Sequence, residues 1–237
     1  MVNTTFFSFA TNQNLNMVVK DGKIVSYNVH SIAMRGKDTF QYRHPFSSAI
    51  GITRKRMADV AWTFTDSAMK KPYAFQSVVA PLKDSLPMLS FKQALNYGAS
   101  AKSKTAVPVS LQKWKVQTAV GGGPVLVQDG KVQVRNNEEI KFAGKAINDL
   151  HPRTLMGYTK DGKLIVMVIE GRHPGVAEGA SLLQSAQIMA ALGCTEALNL
   201  DGGGSSCMLI NGRQTIEPSD KGLQRPVPAV FIIRQKK

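Results

Sequence analysis

The residues best suited to chemistry lie together in Asn199-Leu200-Asp201-Gly202-Gly203-Gly204-Ser205-Ser206, where one carboxylate stands against three glycines and two hydroxyls. Serial glycines reach positive φ and let a ligand approach the backbone, and consecutive N–H groups in such a turn can form a nest for an anion. Taken alone, the same octet also describes a Gly-rich hairpin corner in which Asp201 caps its own turn. Three further clusters add charge and close backbone approach. His151-Pro152-Arg153-Thr154 opens an apolar hairpin and Glu170-Gly171-Arg172 ends it, so a buried strand delivers charge to a sheet rim. The guanidinium forks of Arg153 and Arg172 match paired phosphate oxygens. Gly121-Gly122-Gly123-Pro124 is a second place where a ligand can reach the backbone. His151 and His173 have no triad context, so Ser205 and Ser206 are expected to bind phosphate or sugar hydroxyls rather than act as nucleophiles.

These side chains need elements to hold them. Asp21-Gly22, Asp129-Gly130, Asp161-Gly162 and Asn211-Gly212 each join two β-favouring runs, the signature of a tight hairpin whose turn needs positive φ. A fifth hairpin is expected between Ala49–Ile52 and Val60–Phe64, turning at Arg54-Lys55-Arg56. Ser181 and Gln184 form a capping box ahead of a helix over Leu182–Leu192, with Leu182, Leu183, Ala186, Met189 and Ala190 as its buried stripe and Gly193 as its C-cap. A short strand at Ala197–Leu200 then carries Asp201 into the glycines. Prolines at 72, 81, 87 and 108 mark 65–113 as an irregular insertion, in which Ser90 and Gln93 open a short helix ended by Gly98 and Ala99–Thr105 is a loop. The closing run Pro226–Ile233 reads as an edge strand. The expected fold is α+β: a strand-rich mixed sheet of several hairpins with a few helices packed on it, in one domain spanning 1–237.

Composition narrows the partners. With 30 Lys and Arg against 16 Asp and Glu, the chain carries a formal charge of +14, a field that concentrates polyanions. The basic residues are dispersed, however, and Arg54-Lys55-Arg56 and Lys236-Lys237 are not interleaved with aromatics as in a single-strand binding platform. A phosphorylated small substrate is therefore favoured over nucleic acid. No apolar run of about 18 residues suggests a membrane span, and the N-terminus lacks the pattern of a secretory signal, so a cytoplasmic or phage-borne protein is expected. Cys194 and Cys207 read as buried thiols. No EF-hand or His/Cys spacing occurs, so no metal or cofactor is assigned, although Asp201 with carbonyl oxygens is compatible with Ca²⁺ or Mg²⁺. Oligomeric state is not legible.

In chain order, Asn3-Thr4-Thr5-Phe6-Phe7, Gly122-Gly123-Pro124, His151-Pro152-Arg153-Thr154, Gly171-Arg172, the capped helix from Gly179, the Asn199–Ser206 octet and Arg225-Pro226-Val227 resemble the phosphodiester glycosidase family. Two positions depart from its usual pattern: Glu170 replaces Asp before Gly-Arg, and Gln184 replaces an early helical Glu. The resemblance implies hydrolysis of a sugar-1-phosphodiester, or a phosphate-bearing glycan, at the anomeric C–O bond. In that reading Arg172, Arg153 and the Gly202, Gly203 and Gly204 N–H groups hold phosphate. Asp201 serves the oxocarbenium-like centre, with Glu170 or Glu178 as second carboxylate. Thr154, Asn199, Ser205, Ser206, Asn3, Phe7, Gly122 and Gly123 complete the substrate contacts. Two alternatives stay open: a phosphodiesterase cutting P–O, and a non-catalytic polyanion- or glycan-binding module of the same fold, such as a phage virion component.

Overall fold

The computed structural model describes residues 1–100 and 110–235. Two antiparallel sheets form the body. One has the strand order Gln112–Lys113, Tyr73–Phe75, Ala58–Phe64, Ser47–Ile52, Thr118–Gly121, Val18–Lys20, Lys23–Ser26. The other runs Lys131–Val132, Val125–Gln128, Cys194–Asn199, Arg153–Thr159, Leu164–Ile169. The strand-rich α+β class is as expected. The mixed sheet resolves into separate antiparallel sheets: hairpins supply five of the ten neighbouring pairs, and long-range antiparallel pairs such as Thr118–Gly121 with Ser47–Ile52 and Cys194–Asn199 with Arg153–Thr159 supply the others.

Side-chain alternation explains the layering. Along the second sheet Val125, Met156 and Leu198 face the first sheet and join Ile50, Val60, Trp62 and Phe75 in one core. Their neighbours Leu126, Leu155 and Ala197 point the other way, onto Leu182, Ala186 and Met189 of the helix Leu182–Ala191. Successive residues on a strand face opposite sides, so one central sheet serves two cores. The helix starts as its sequence predicts: Ser181 Oγ accepts the Gln184 N–H at 3.2 Å and Gln184 Oε1 accepts the Ser181 N–H at 2.9 Å. Leu183, expected in the buried stripe, is exposed, since it lies about 100° round the helix from Leu182; Ser185 takes the inward place.

At Asp21-Gly22, Asp129-Gly130 and Asn211-Gly212 both turn residues have positive φ. At Asp161-Gly162 only the glycine does, and the turn is longer, with the Thr159 N–H donating to Lys163 O at 3.0 Å. Within 65–113 the chain forms the strands Tyr73–Phe75, Leu82–Asp84 and Gln112–Lys113 and the helix Phe91–Ser100, which continues past Gly98. From 101 onward the loop expected at Ala99–Thr105 lies outside the described residues. The closing strand narrows to Val230–Phe231, paired with Val2–Asn3. Both cysteines are buried and free, and among the described residues no helix is long and apolar enough to cross a membrane.

Candidate active site

The site is assembled around the backbone of His151 and Pro152. A Cβ on Gly171 would lie 2.8 Å from Pro152 N, one on Gly179 2.5 Å from His151 C, and one on Gly202 2.6 Å from Pro152 O. Three glycines, at 171, 179 and 202, therefore pack on one dipeptide, and only glycine permits the approach. This brings Arg172, the helix entry and the Asp201 turn together. The Gly203 N–H closes the junction by donating to Pro152 O at 2.8 Å.

Asn3 holds the other side of the turn. Its Nδ2 donates to Asp201 O at 2.6 Å, and its Oδ1 accepts from Thr154 Oγ1 at 2.7 Å and from the Cys207 N–H at 3.0 Å. The Asp201 N–H donates to Thr4 O at 2.8 Å, and Thr154 Oγ1 also reaches Ser206 Oγ at 3.5 Å. Asn3, Thr154 and Ser206, expected to touch substrate, are thus buried and engaged with one another. They position Asp201. Asn3→Ala would strand several buried partners, and urea unfolding is expected to show a loss of about 2–3 kcal/mol.

Charge gathers above this network. The Arg172 guanidinium lies over Gly203, its Nη2 3.1 Å from where a Cβ would sit, and Arg172 itself has φ 63°. The Arg225 guanidinium lies over Gly204, with Cζ 2.7 Å from the Cβ position. Arg153 is 2% exposed; its Nε donates to Ala180 O at 2.9 Å, its Nη2 to Asp149 O at 3.2 Å, and its Cζ stands 5.5 Å from the Phe142 ring centre. Among the described residues neither Arg153 nor Arg172 has a carboxylate partner, whereas Arg225 pairs with Asp220 at 3.1 Å. Arg172 is exposed, but Arg153 is buried, and a buried guanidinium without a counter-charge is costly, so Arg153 beside Arg172 marks a place for an anion. Burial and then Arg172 lower Arg153 to about 10. Burial, Arg153 and Arg172 also hold His151 below the usual imidazole range.

Asp201 feels the opposite push. Burial raises its carboxyl to about 6, while the Ser205 hydroxyl, the Gly202 N–H and the Arg225 charge pull it partway back. The Ser205 hydroxyl is turned to Asp201, and Asn199 Oδ1 is buried with no partner in hydrogen-bond geometry among the described residues.

The glycines differ most from expectation. The anion nest is largely closed: besides Gly203, the Ser205 N–H donates to Gly202 O at 3.2 Å and the Ser206 N–H to Gly203 O at 3.1 Å. Gly202 makes room for Pro152, Gly203 for Arg172 and Gly204 for Arg225. Gly122 faces Asn199 O and Leu200, and Gly123 faces the Glu139 carboxylate, so both serve packing. Of the second carboxylates, Glu170 Oε2 accepts the Glu217 N–H at 2.9 Å, and one Glu170 carboxylate oxygen lies within 4.8 Å of a ring nitrogen of His173 and a carboxylate oxygen of Glu217. Glu178 is exposed and its Oε1 accepts the Gly175 N–H at 3.0 Å.

Aromatic residues border the guanidinium groups. Phe7 packs edge-on against Phe9 at 5.2 Å, and Phe9, 73% exposed, faces Arg225 at 5.1 Å. Phe6 meets Phe142 at 5.9 Å. Phe9, Phe142, Arg225 and His151 escaped sequence reasoning as site residues. Arg225 had a signal in its Arg-Pro-Val motif, and Phe142 had none.

Comparison with known proteins gives this arrangement a family. A phosphodiester glycosidase family model matches residues 66–234. N-acetylglucosamine-1-phosphodiester alpha-N-acetylglucosaminidase from Mus musculus is 27% identical over 103 residues, covering 40% of this chain and 20% of that protein. The SPbeta prophage-derived uncharacterized protein YomE of Bacillus subtilis is 33% identical over 87 residues, 37% of this chain and 13% of that protein. The chain thus spans a fifth or less of the length of these relatives. Among solved structures, the catalytic domain of zebrafish N-acetylglucosamine-1-phosphodiester alpha-N-acetylglucosaminidase, auto-inhibited by its pro-peptide, superposes with a TM-score of 0.55 at 20% identity, over 95% of this chain and 60% of that one. A hypothetical protein from Synechocystis gives 0.52 at 17% identity, over 92% and 48%. The shared folds agree with the matched segment, which holds every charged residue of the site: the chain belongs to the phosphodiester glycosidase family.

Proposed function

We propose that the protein hydrolyses a sugar-1-phosphodiester at the anomeric C–O bond, releasing the sugar and a phosphomonoester. The observation that carries this reading is the gathering of Arg153, Arg172 and Arg225 around the turn that bears one carboxylate, Asp201, which burial raises to about 6 and Arg225 pulls partway back. As the C–O bond breaks, negative charge accumulates on the departing phosphate, and fixed guanidinium groups stabilise it more than they stabilise the diester. A phosphate leaving group is a weak base and needs little proton donation. Asp201, ionised above about pH 6, serves the anomeric carbon either as nucleophile or as base for water. Water supplies the new oxygen on the sugar, and its second proton balances the released phosphomonoester. The Ser205 hydroxyl orients the Asp201 carboxyl, and the Phe9 ring offers an exposed apolar face to the sugar.

Hydrolysis of a simple sugar-1-phosphodiester in ¹⁸O-water tests the bond assignment. The label is expected in the anomeric hydroxyl of the sugar. Label in the phosphomonoester would replace this reaction with P–O cleavage.

A further inference from the structure

A second cationic feature lies away from the arginine site. Arg54, Lys55, Lys71, Lys113 and Lys115 line a groove of about 540 Å³ together with Thr53, Met57 and Gln117. Three separate segments of sequence build it: the turn of the Ser47–Ile52 and Ala58–Phe64 hairpin, the Lys71 region, and the approach to Thr118–Gly121. The Gly22 N–H donates to Gln117 O at 2.7 Å, so the hairpin that carries Lys20 and Lys23 joins the same end of the sheet. Gly121, at the other end of these strands, leads into Gly122 and Asn199. Five residue steps along the strand put the groove roughly 16 Å from that end.

None of the five cations has an ion pair among the described residues. Lys71 Nζ instead donates to Gly22 O, and Arg54 Nε donates to Gln117 Oε1 at 3.2 Å. Among the described residues no carboxylate lines the groove, and Asp59 on the adjoining strand accepts from Trp114 Nε1 at 2.5 Å and from Gln76 Nε2 at 3.0 Å rather than from a groove cation. Arg54, Lys55, Lys113 and Lys115 are all exposed. Dispersed in sequence, these charges become a single track in the fold.

We infer that this groove binds a linear polymer of phosphodiester-linked polyols or sugars, holding the chain while the arginine site acts on it. The second clause rests on the proposed function; the binding itself does not. The groove has repeated point charges, which suit repeated phosphates. It has no aromatic lining on which bases would stack, which distinguishes it from a single-stranded nucleic-acid platform. Lysine, the majority here, contacts phosphate as a point charge without demanding a bidentate geometry, so it tolerates a flexible backbone.

The test compares the full chain with a triple variant, Lys55→Gln, Lys113→Gln and Lys115→Gln, all exposed substitutions whose folding is checked by Tm. Fluorescence anisotropy with poly(glycerol phosphate) is expected to show about tenfold weaker binding by the variant and a log–log salt slope shallower by about 2, from the loss of three phosphate contacts. Turnover of a monomeric sugar-1-phosphodiester is expected to stay the same. Equal polymer affinity in both proteins would overturn the assignment, as would a dT20 oligonucleotide binding more tightly than the polymer. Failure of the wild type to cleave the monomeric diester would count against the proposed reaction alone, because polymer affinity is read separately.

Discussion

Asp201→Asn is expected to lose roughly 10²–10⁴-fold in kcat and, at pH 7.5, to be more stable than the wild type. Both effects come from one cause. Burial raises the folded carboxyl from 3.8 to about 6. Below 3.8 the folded and unfolded chains are both protonated there, and the group is neutral in its effect. Between 3.8 and about 6 the unfolded chain has released the proton and the folded chain still holds it, so stability falls as pH rises through this window. Above it the full penalty remains, about 2 kcal/mol once partial solvent access is allowed for. Asparagine cannot ionise and avoids that penalty while keeping the volume. Urea midpoints are therefore expected to coincide at pH 3.5 and separate at pH 7.5, with the variant higher. A variant less stable at pH 7.5 would mean that Arg225 and the turn stabilise the ionised carboxylate more than burial penalises it. Turnover provides the second reading, since wild-type kcat/KM is expected to rise through about pH 6 as Asp201 ionises.

The sequence made much of the local architecture legible. Hairpins at Asp-Gly and Asn-Gly, the Ser181–Gln184 cap and the strand into Asp201 are each dictated by a few neighbouring residues with one favoured conformation. The convergence of the charged motifs was legible only through their order along the chain, because no local rule places Arg172 over Gly203. The glycines were harder still. A run of three glycines suggests an anion nest, yet each proves to admit a different neighbour, Pro152, Arg172 or Arg225, and a sequence does not name what approaches a missing Cβ. Phe142 was hidden for the same reason: it reaches Arg153 by way of Asn136, which accepts its N–H and donates to its carbonyl, each at 2.9 Å.

That turn also carries the largest expected loss of stability, in Glu139→Ala. Asn136-Asn137-Glu138-Glu139 is wholly polar, yet Glu139 is 1% exposed between the two sheets. Its Oε1 accepts the Val125 N–H at 2.8 Å and Trp62 Nε1 at 3.2 Å, and its Oε2 accepts Ser48 Oγ at 2.7 Å and the Ser48 N–H at 3.3 Å. One carboxylate thus joins the strands Ser47–Ile52, Ala58–Phe64 and Val125–Gln128. Burial raises its carboxyl, and Lys141, itself lowered to about 8 by burial, pulls it partway back. Removing the side chain leaves three buried N–H groups without acceptors, each costing about 1–3 kcal/mol, so a total near 4 kcal/mol or more is expected in urea unfolding. Glu139→Gln retains one acceptor oxygen for Val125 and Trp62 and is expected to lose about half as much. Gly123→Ala should damage the same junction from the other side, because its Cβ would enter the Glu139 carboxylate and the residue holds φ 116°. If Glu139→Ala unfolded at nearly the wild-type midpoint, the three donors would have to find other partners, and the carboxylate would no longer be what ties the two sheets together beneath Phe142 and Arg153.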